Sequence, residues 1–282
     1  MKNFDGKVVV ITGAGSGIGR ALAILLAQKG SILALVDIDR GELLRTQELV
    51  NPFNVASSIH EIDVASREAV EGLASAVFDQ HGAVHVLINN AGVSLVERVE
   101  AMDYEDFAWV MNINFWGVVY GTKSFLPYLR QSDEAHIVNI SSLFGLMSVP
   151  LQSAYNASKF AVRGFTESLK MELAGSSVGV SCVHPGGIDT DITRNSRIGE
   201  GALDMSDDEL HSAFEAAAIT SPEKAAKTII RGVEKNRRRI LIGADARLAD
   251  WFVRHFPGTY EKILRLEKDV LRGVRRRIYP DG

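Results

Sequence analysis

Short apolar, β-branched runs alternate with longer helical patterns over most of this chain, and no other feature of the sequence restricts the fold so strongly. Lys7–Thr12, Ser31–Asp37, Ile59–Val64, Val84–Asn89, Ala135–Ser141 and Val178–His184 read as strands. Gly17–Lys29, Arg40–Val50, Ser66–Gln80, Asp103–Leu129 and Gln152–Ala174 read as the helices between them. Strands that are apolar at nearly every position are buried on both faces, as in a parallel sheet covered by helices. With right-handed crossovers, the alternation predicts an α/β protein built on a doubly wound parallel sheet.

After His184 the rhythm changes. Pro185–Leu203 has no clear period and reads as a long loop, and Asp207–Ala218 as a short helical stretch. A long loop beside a ligand crevice suits a lid, expected here over about residues 187–220. Ser221-Pro222-Glu223 is a helix start, with Ser as N-cap, Pro in the first turn and Glu favoured by the dipole. That helix runs to about Lys235, and Arg239–Ile242 follows as a last strand. One domain is expected over residues 1–243, with a basic, amphipathic helical extension over 244–282.

Composition removes several alternatives. The 282 residues, 46% hydrophobic, are enough to bury a sizeable core. A formal charge of −4 gives no reason to expect nucleic acid as a partner. No stretch reaches the roughly 18 apolar residues of a transmembrane helix. The apolar run Val8–Ile11 is too short for a secretory signal, so a cytoplasmic protein is expected. The single cysteine, Cys182, excludes an internal disulfide and sits in an apolar run, where it reads as a buried structural thiol in a reducing compartment. Seven histidines without ligand spacing give no metal site.

Thr12-Gly13-Ala14-Gly15-Ser16-Gly17-Ile18-Gly19 follows the first strand and opens the first helix. Glycines there let the backbone approach a pyrophosphate, and the helix N-terminus offers free N–H groups. Asp37 ends the second strand, where a carboxylate takes both ribose hydroxyls and repels a 2′-phosphate. It favours NAD(H) over NADP(H). Asp37 could instead cap the next helix, a task open also to Asp39, and Arg40 could reach a 2′-phosphate.

Tyr155 and Lys159 lie four positions apart and share one helix face. A phenol titrates near 10, and a nearby ammonium favours the phenolate, the usual route to an acid/base tyrosine. Taken alone the pair is also what a solvated amphipathic helix would show. Ser142, at a strand end thirteen residues earlier, can donate to a substrate oxygen at the carboxyl edge of the sheet. Asn114 sits within a helical pattern, where Asn is unfavourable; it is either functional or a core amide bonded to backbone.

Together with Asn89-Asn90-Ala91-Gly92 and Pro185-Gly186, these motifs resemble the short-chain dehydrogenase/reductase family in its standard-length, single-domain form, from about Gly6 to Ile242. The resemblance implies a Rossmann-like fold and hydride transfer between a nicotinamide cofactor and a CH–OH or C=O carbon. It implies Tyr155 as general acid/base, Lys159 on the nicotinamide ribose, Ser142 on the substrate oxygen and Asn114 in a water-mediated proton relay. It places Gly13, Gly15, Ser16, Gly17, Ile18 and Gly19 at the pyrophosphate, and Asp63 and Val64 at the adenine. Asn90, Ala91 and Gly92 would line the adenosine side and steady the central sheet. Pro185, Gly186, Ile188 and Thr190 would embrace the nicotinamide. His184 reads as a strand-end histidine bonded to backbone.

Leu143–Leu151 and Val93–Val96 are largely apolar, so the expected substrate is a hydrophobic secondary alcohol or ketone. The family implies a homodimer or homotetramer through the helices at Asp103–Leu129 and Gln152–Ala174, where Ala157, Ala161 and Gly164 permit close approach. Arg247, Trp251, Phe252, Arg254, Phe256 and Arg265 could lay the extension on a membrane, but a solvated amphipathic face is the favoured reading. The competing functions are an NADP(H)-dependent ketone reductase and, further off, a non-catalytic protein that senses NAD(H).

Overall fold

A computed structural model describes residues 1–190, 192, 196–199 and 220–260. The expected lid and the far end of the extension, with Arg265, fall largely outside these residues. In chain order the elements are β1 (Val8–Thr12), α1 (Gly17–Gln28), β2 (Ile32–Asp37), α2 (Arg40–Val50), β3 (Ser57–Glu61) and α3 (Arg67–His81). Next come β4 (Val86–Asn89), β5 (Leu95–Val96), α4 (Tyr104–Met111), α5 (Gly117–Leu129), β6 (Ala135–Ile140) and α6 (Ser153–Glu172). The described chain continues with β7 (Val178–Pro185), β8 (Arg197–Ile198), α7 (Pro222–Glu234), β9 (Arg239–Ile242) and α8 (Ala244–His255).

Seven strands form one parallel sheet in the order β3-β2-β1-β4-β6-β7-β9. Every residue of β1, β4 and β6 is buried, because alternate side chains enter two separate cores. Val9 and Ile11 pack with Leu22 and Leu26 of α1, Leu43 of α2 and Ile229 and Val233 of α7. Val8 and Val10 pack with Leu73 and Val77 of α3, Phe125 of α5 and Leu169 of α6. The winding reverses between β1 and β4, so their carboxyl ends open a crevice.

Local chemistry sets the helix starts. Ser66 and Ser221 accept from Ala69 N and Lys224 N, and Pro222 follows directly. The stretch read as one helix over 103–129 is divided by a π-helical turn, Asn112–Trp116, that separates α4 from α5. The loop read after β7 contains β8, which pairs in parallel with β5 as a second small sheet. Neither two-residue strand is long enough to show a period. Among the described residues, no helix is long and apolar enough to cross a membrane.

Candidate active site

The glycine turn leaves β1 with Gly13 at φ +64°. A Cβ on Gly13 would stand 2.9 Å from Ala91 Cα, and one on Gly19 would drive into the Gly13 carbonyl oxygen. Thr12, which sequence reasoning passed over, joins this turn to the end of β4: its Oγ1 accepts from Asn90 N at 2.9 Å and Ala91 N at 3.1 Å. Asn90 Nδ2 donates to Thr12 O at 3.0 Å and Gly13 O at 3.1 Å. Asn90 thus fixes the turn, whereas the bond across the sheet comes from Asn89, whose Nδ2 donates to Asn139 Oδ1 at 2.8 Å.

A cleft of about 830 Å³ runs from this turn across the sheet edge. Gly13, Gly15, Ser16, Gly17, Ile18, Asp37, Asp63, Val64, Asn90, Ala91 and Gly92 line one part. Ser142, Tyr155, Lys159, Pro185, Gly186, Ile188 and Thr190 line the other. Gly19 and Asn114 do not line it; both stand behind its wall. At the first end, Asp37 Oδ2 accepts from Gly15 N at 2.9 Å. Asp39 rather than Asp37 caps α2, accepting from Glu42 N at 3.0 Å. Arg40 is not among the lining residues; it stands 4.0 Å from Glu61. Two cations that the sequence did not single out, Arg20 and Arg45, do line the cleft, and both are paired with Glu42.

At the other end, α6 carries Tyr155 and Lys159 on its inner face, at 9% and 2% exposure. Lys159 Nζ donates to Ile140 O at 3.2 Å and lies 5.5 Å from the centre of the Tyr155 ring. The Tyr155 ring meets Phe144 edge-on at 6.2 Å. The expected lowering of the phenol does not arise from these residues. Burial pushes Tyr155 above the ordinary tyrosine value, and only a hydrogen bond with Ser142 pulls the other way. Burial brings the Lys159 ammonium down to about 8, against weak opposition from Cys182. Desolvation here outweighs the attraction that residue spacing alone would predict. Cys182 itself is buried, and its thiol is pushed up to about 12, as an inert structural thiol requires.

Asn114 is fully buried in the π-turn. Its Oδ1 accepts from Val93 N at 2.8 Å, and its Nδ2 donates to Val93 O at 2.9 Å and Ser158 Oγ at 3.0 Å. The direct bonds are therefore those of a core amide holding backbone, immediately behind Gly92. His184 Nδ1 donates to Ser142 O at 3.0 Å, as read from the sequence. Its Nε2 is buried without a partner among the described residues, and burial lowers the imidazole to about 4. Asp245 of α8 was also missed: its Oδ2 accepts from Gly187 N at 2.7 Å, behind the Pro185-Gly186-Gly187 turn. No local pattern marks a residue that acts across 58 positions of chain. Among the described residues, no cluster of three or more His, Cys, Asp or Glu could hold a metal.

A doubly wound sheet with a glycine-lined turn and a buried Tyr–Lys–Ser group at its switch point defines a dinucleotide-binding oxidoreductase architecture. The short chain dehydrogenase family profile matches residues 7–201. A Mycobacterium tuberculosis protein named for an oxidoreductase role, SadH, is 46% identical over 268 residues, spanning 94% of this chain and 96% of its own. The 11-beta-hydroxysteroid dehydrogenase A of Sesamum indicum is 35% identical, spanning 93% of this chain and 75% of its own. A crystal structure of a short chain dehydrogenase/reductase from Burkholderia phymatum in complex with NAD superposes with a TM-score of 0.82 at 36% identity, covering 90% of this chain and 95% of that one. The chain belongs to the short-chain dehydrogenase/reductase family. It is an oxidoreductase acting on CH–OH or C=O groups with a nicotinamide cofactor.

Proposed function

We propose that this chain moves a hydride between NAD(H) and a largely apolar secondary alcohol or ketone, with Tyr155 as general acid/base. The observation that carries the reading is the convergence of Tyr155, Ser142 and Lys159 on a cleft whose far end is the glycine turn with Asp37. The turn fits a dinucleotide: its backbone lies where side chains would collide, and Ser16 leaves the first N–H groups of α1 without a side-chain cap.

In this reading Gly13, Gly15, Ser16, Gly17 and Ile18 hold the pyrophosphate, with Gly19 packed behind them. Asp63 and Val64 meet the adenine, and Asn90, Ala91 and Gly92 flank the adenosine. Asp37 takes the ribose hydroxyls. The two arginines lining this end among the described residues are already engaged by Glu42, so a 2′-phosphate would face the Asp37 carboxylate; this supports NAD(H). Lys159 holds the nicotinamide ribose, and Pro185, Gly186, Ile188 and Thr190 enclose the ring. The bound nicotinamide supplies the hydride donor or acceptor.

The chain's own residues handle the proton. Tyr155, protonated at neutral pH, donates to the substrate oxygen in reduction and recovers the proton in oxidation. Ser142 donates to the same oxygen as charge builds there, and His184 anchors its carbonyl. Lys159, which burial brings down to about 8, stays cationic at neutral pH 5.5 Å from the Tyr155 ring. Asn114 holds Val93 and Ser158 and stands beside the relay through Lys159. Ile113, Phe144, Ile188 and Ile192 supply apolar walls, and the steroid dehydrogenase relative supports an apolar substrate. Ala157, Phe160 and Gly164 are exposed along α6, and Trp116 at the end of the π-turn before α5, which supports assembly through those helices.

The test is NADH oxidation, followed by absorbance, over a panel of apolar ketones, with NADPH in parallel. Tyr155→Phe is expected to lose about 10²–10⁴ in rate while keeping NADH binding. Undiminished turnover by that variant would refute the assignment of Tyr155. A preference for NADPH would refute the cofactor assignment.

A further inference from the structure

One polar group at the substrate end of the cleft has no part in the reaction just described. Gln152 lines the cleft beside Ser142, Phe144 and Tyr155, and it is only 5% exposed. It stands at the N-cap of α6, where a polar side chain ordinarily turns back onto the first N–H groups of the helix. Its side chain makes no such bond. Its backbone is occupied, the carbonyl accepting from Asn156 N at 2.8 Å. Asn156, four residues on, gives its own amide nitrogen to Val149 O at 2.9 Å. The Gln152 amide has no partner among the described residues.

A primary amide carries two donors and an acceptor, and that of Gln152 opens onto the cleft, where a ligand can take the place of solvent on it. One that faces a ligand cleft therefore makes a demand on the ligand. Lys159 is the only cation lining this end among the described residues, and the neighbouring walls are Ile113, Phe144, Ile188 and Ile192. With Lys159 assigned to the nicotinamide ribose, a carboxylate or phosphate seated against the amide would have no counter-charge of its own, whereas a hydroxyl or carbonyl needs none. Gln152 precedes Tyr155 by three residues, at the N-cap of α6, and both line the same cleft beside Ser142 and Phe144. A group bonded to Gln152 therefore sits a few carbons from the oxygen that Tyr155 serves.

We propose that Gln152 is a specificity-determining residue that hydrogen-bonds a second, neutral oxygen function on an otherwise apolar substrate, a few carbons from the reacting carbon. This rests on the dehydrogenase reading above and narrows its substrate class to hydroxy ketones, diketones and the matching diols.

The test uses a bicyclic ketone and a series of its monohydroxy derivatives, the hydroxyl placed at successive ring carbons. Wild-type protein and Gln152→Leu are compared by NADH oxidation, with NADH affinity measured by fluorescence to confirm a folded site. Wild type is expected to favour at least one hydroxy ketone over the parent by about tenfold or more in kcat/KM. In Gln152→Leu that ratio falls to near one, through a higher KM for the hydroxy ketone rather than a lower kcat. Turnover of all ketones by wild type without preference overturns the inference, as does a variant that loses the parent and the hydroxy ketone alike. Absence of turnover with NADH bound overturns the dehydrogenase reading itself, and this inference with it.

Discussion

Replacing Arg239 by Met tests how firmly the C-terminal helix is built into the site. Arg239 is 12% exposed in β9, and its guanidinium spans two elements. Nη1 meets Asp250 of α8 at 2.6 Å, and Nη2 meets Glu167 of α6 at 2.7 Å. Glu167 also pairs with Arg163 at 3.3 Å, and Arg163 Nη1 donates to Gly145 O at 3.4 Å, in the loop after Ser142. Methionine keeps much of the apolar stem and deletes the charge. Breaking a buried pair by removing one partner costs about 3–5 kcal/mol. Here each carboxylate keeps a second arginine, Arg254 on Asp250 and Arg163 on Glu167, and Glu167 is 31% exposed. Solvent and the remaining partners bring the expected loss down to about 2–3 kcal/mol. At about 2–4 °C per kcal/mol for a domain of this size, the melting temperature should fall by roughly 4–12 °C.

Calorimetry or circular dichroism at pH 7 reads this shift. The pH dependence supplies a second check. Burial raises the Glu167 carboxyl, but the arginines, Arg239 foremost, outweigh it and hold the group below the ordinary value of 4.5. The stabilisation is therefore present above about pH 4.5 and is lost as pH falls through the depressed folded value. The gap between Arg239→Met and wild type should close over that window. A shift under about 2 °C at pH 7, or a gap that does not change with pH, would show that the ladder carries no appreciable stability.

Asp245→Ala removes the acceptor for Gly187 N and should weaken NADH binding by about tenfold while leaving ADP-ribose, which lacks the nicotinamide, within about twofold; equal losses by calorimetric titration would mean a general disturbance. Asp37→Ala should raise the NADPH-to-NADH ratio of kcat/KM by about tenfold, and an unchanged ratio would remove Asp37 from cofactor choice. Burial, reinforced by the N-terminal ammonium and Lys170, lowers His136 from 6.5 to about 3, so its neutral form belongs to the folded state. Stability should be complete above pH 6.5 and decline below it by about 1.4 kcal/mol per pH unit for this residue. His136→Gln should flatten urea-denaturation stability between pH 6 and 4, and an equally steep decline in the variant would discard this account.

How much could be read from the chain follows from how local each cause is. The central buried strands, the Ser221 cap and the glycine turn are set by neighbours a few residues away and were legible, whereas Ser66, read as the first residue of its helix, is its cap, and the strand read over Ile59–Val64 runs instead over Ser57–Glu61 at the sheet edge. The π-turn was not, because it adds a residue to a helical ladder without breaking the apolar stripe; only Asn114, an ill-suited helix residue, marked it. β5 and β8 escaped because two residues carry no period. Within the site, most of the residues singled out meet along one cleft, but the electrostatics did not follow from spacing. Tyr155 and Lys159 share a helix face as expected, yet both are so deeply buried that desolvation sets the direction of each titration. The bonds behind the turn after β7 and along α8, Asp245 on Gly187 and Arg239 between Asp250 and Glu167, join segments brought together only after the sheet has closed. What the sequence called an extension thus begins, through α8, as a support for the turn after β7. That is why substitutions in α8, outside every motif, are expected to register at the cofactor.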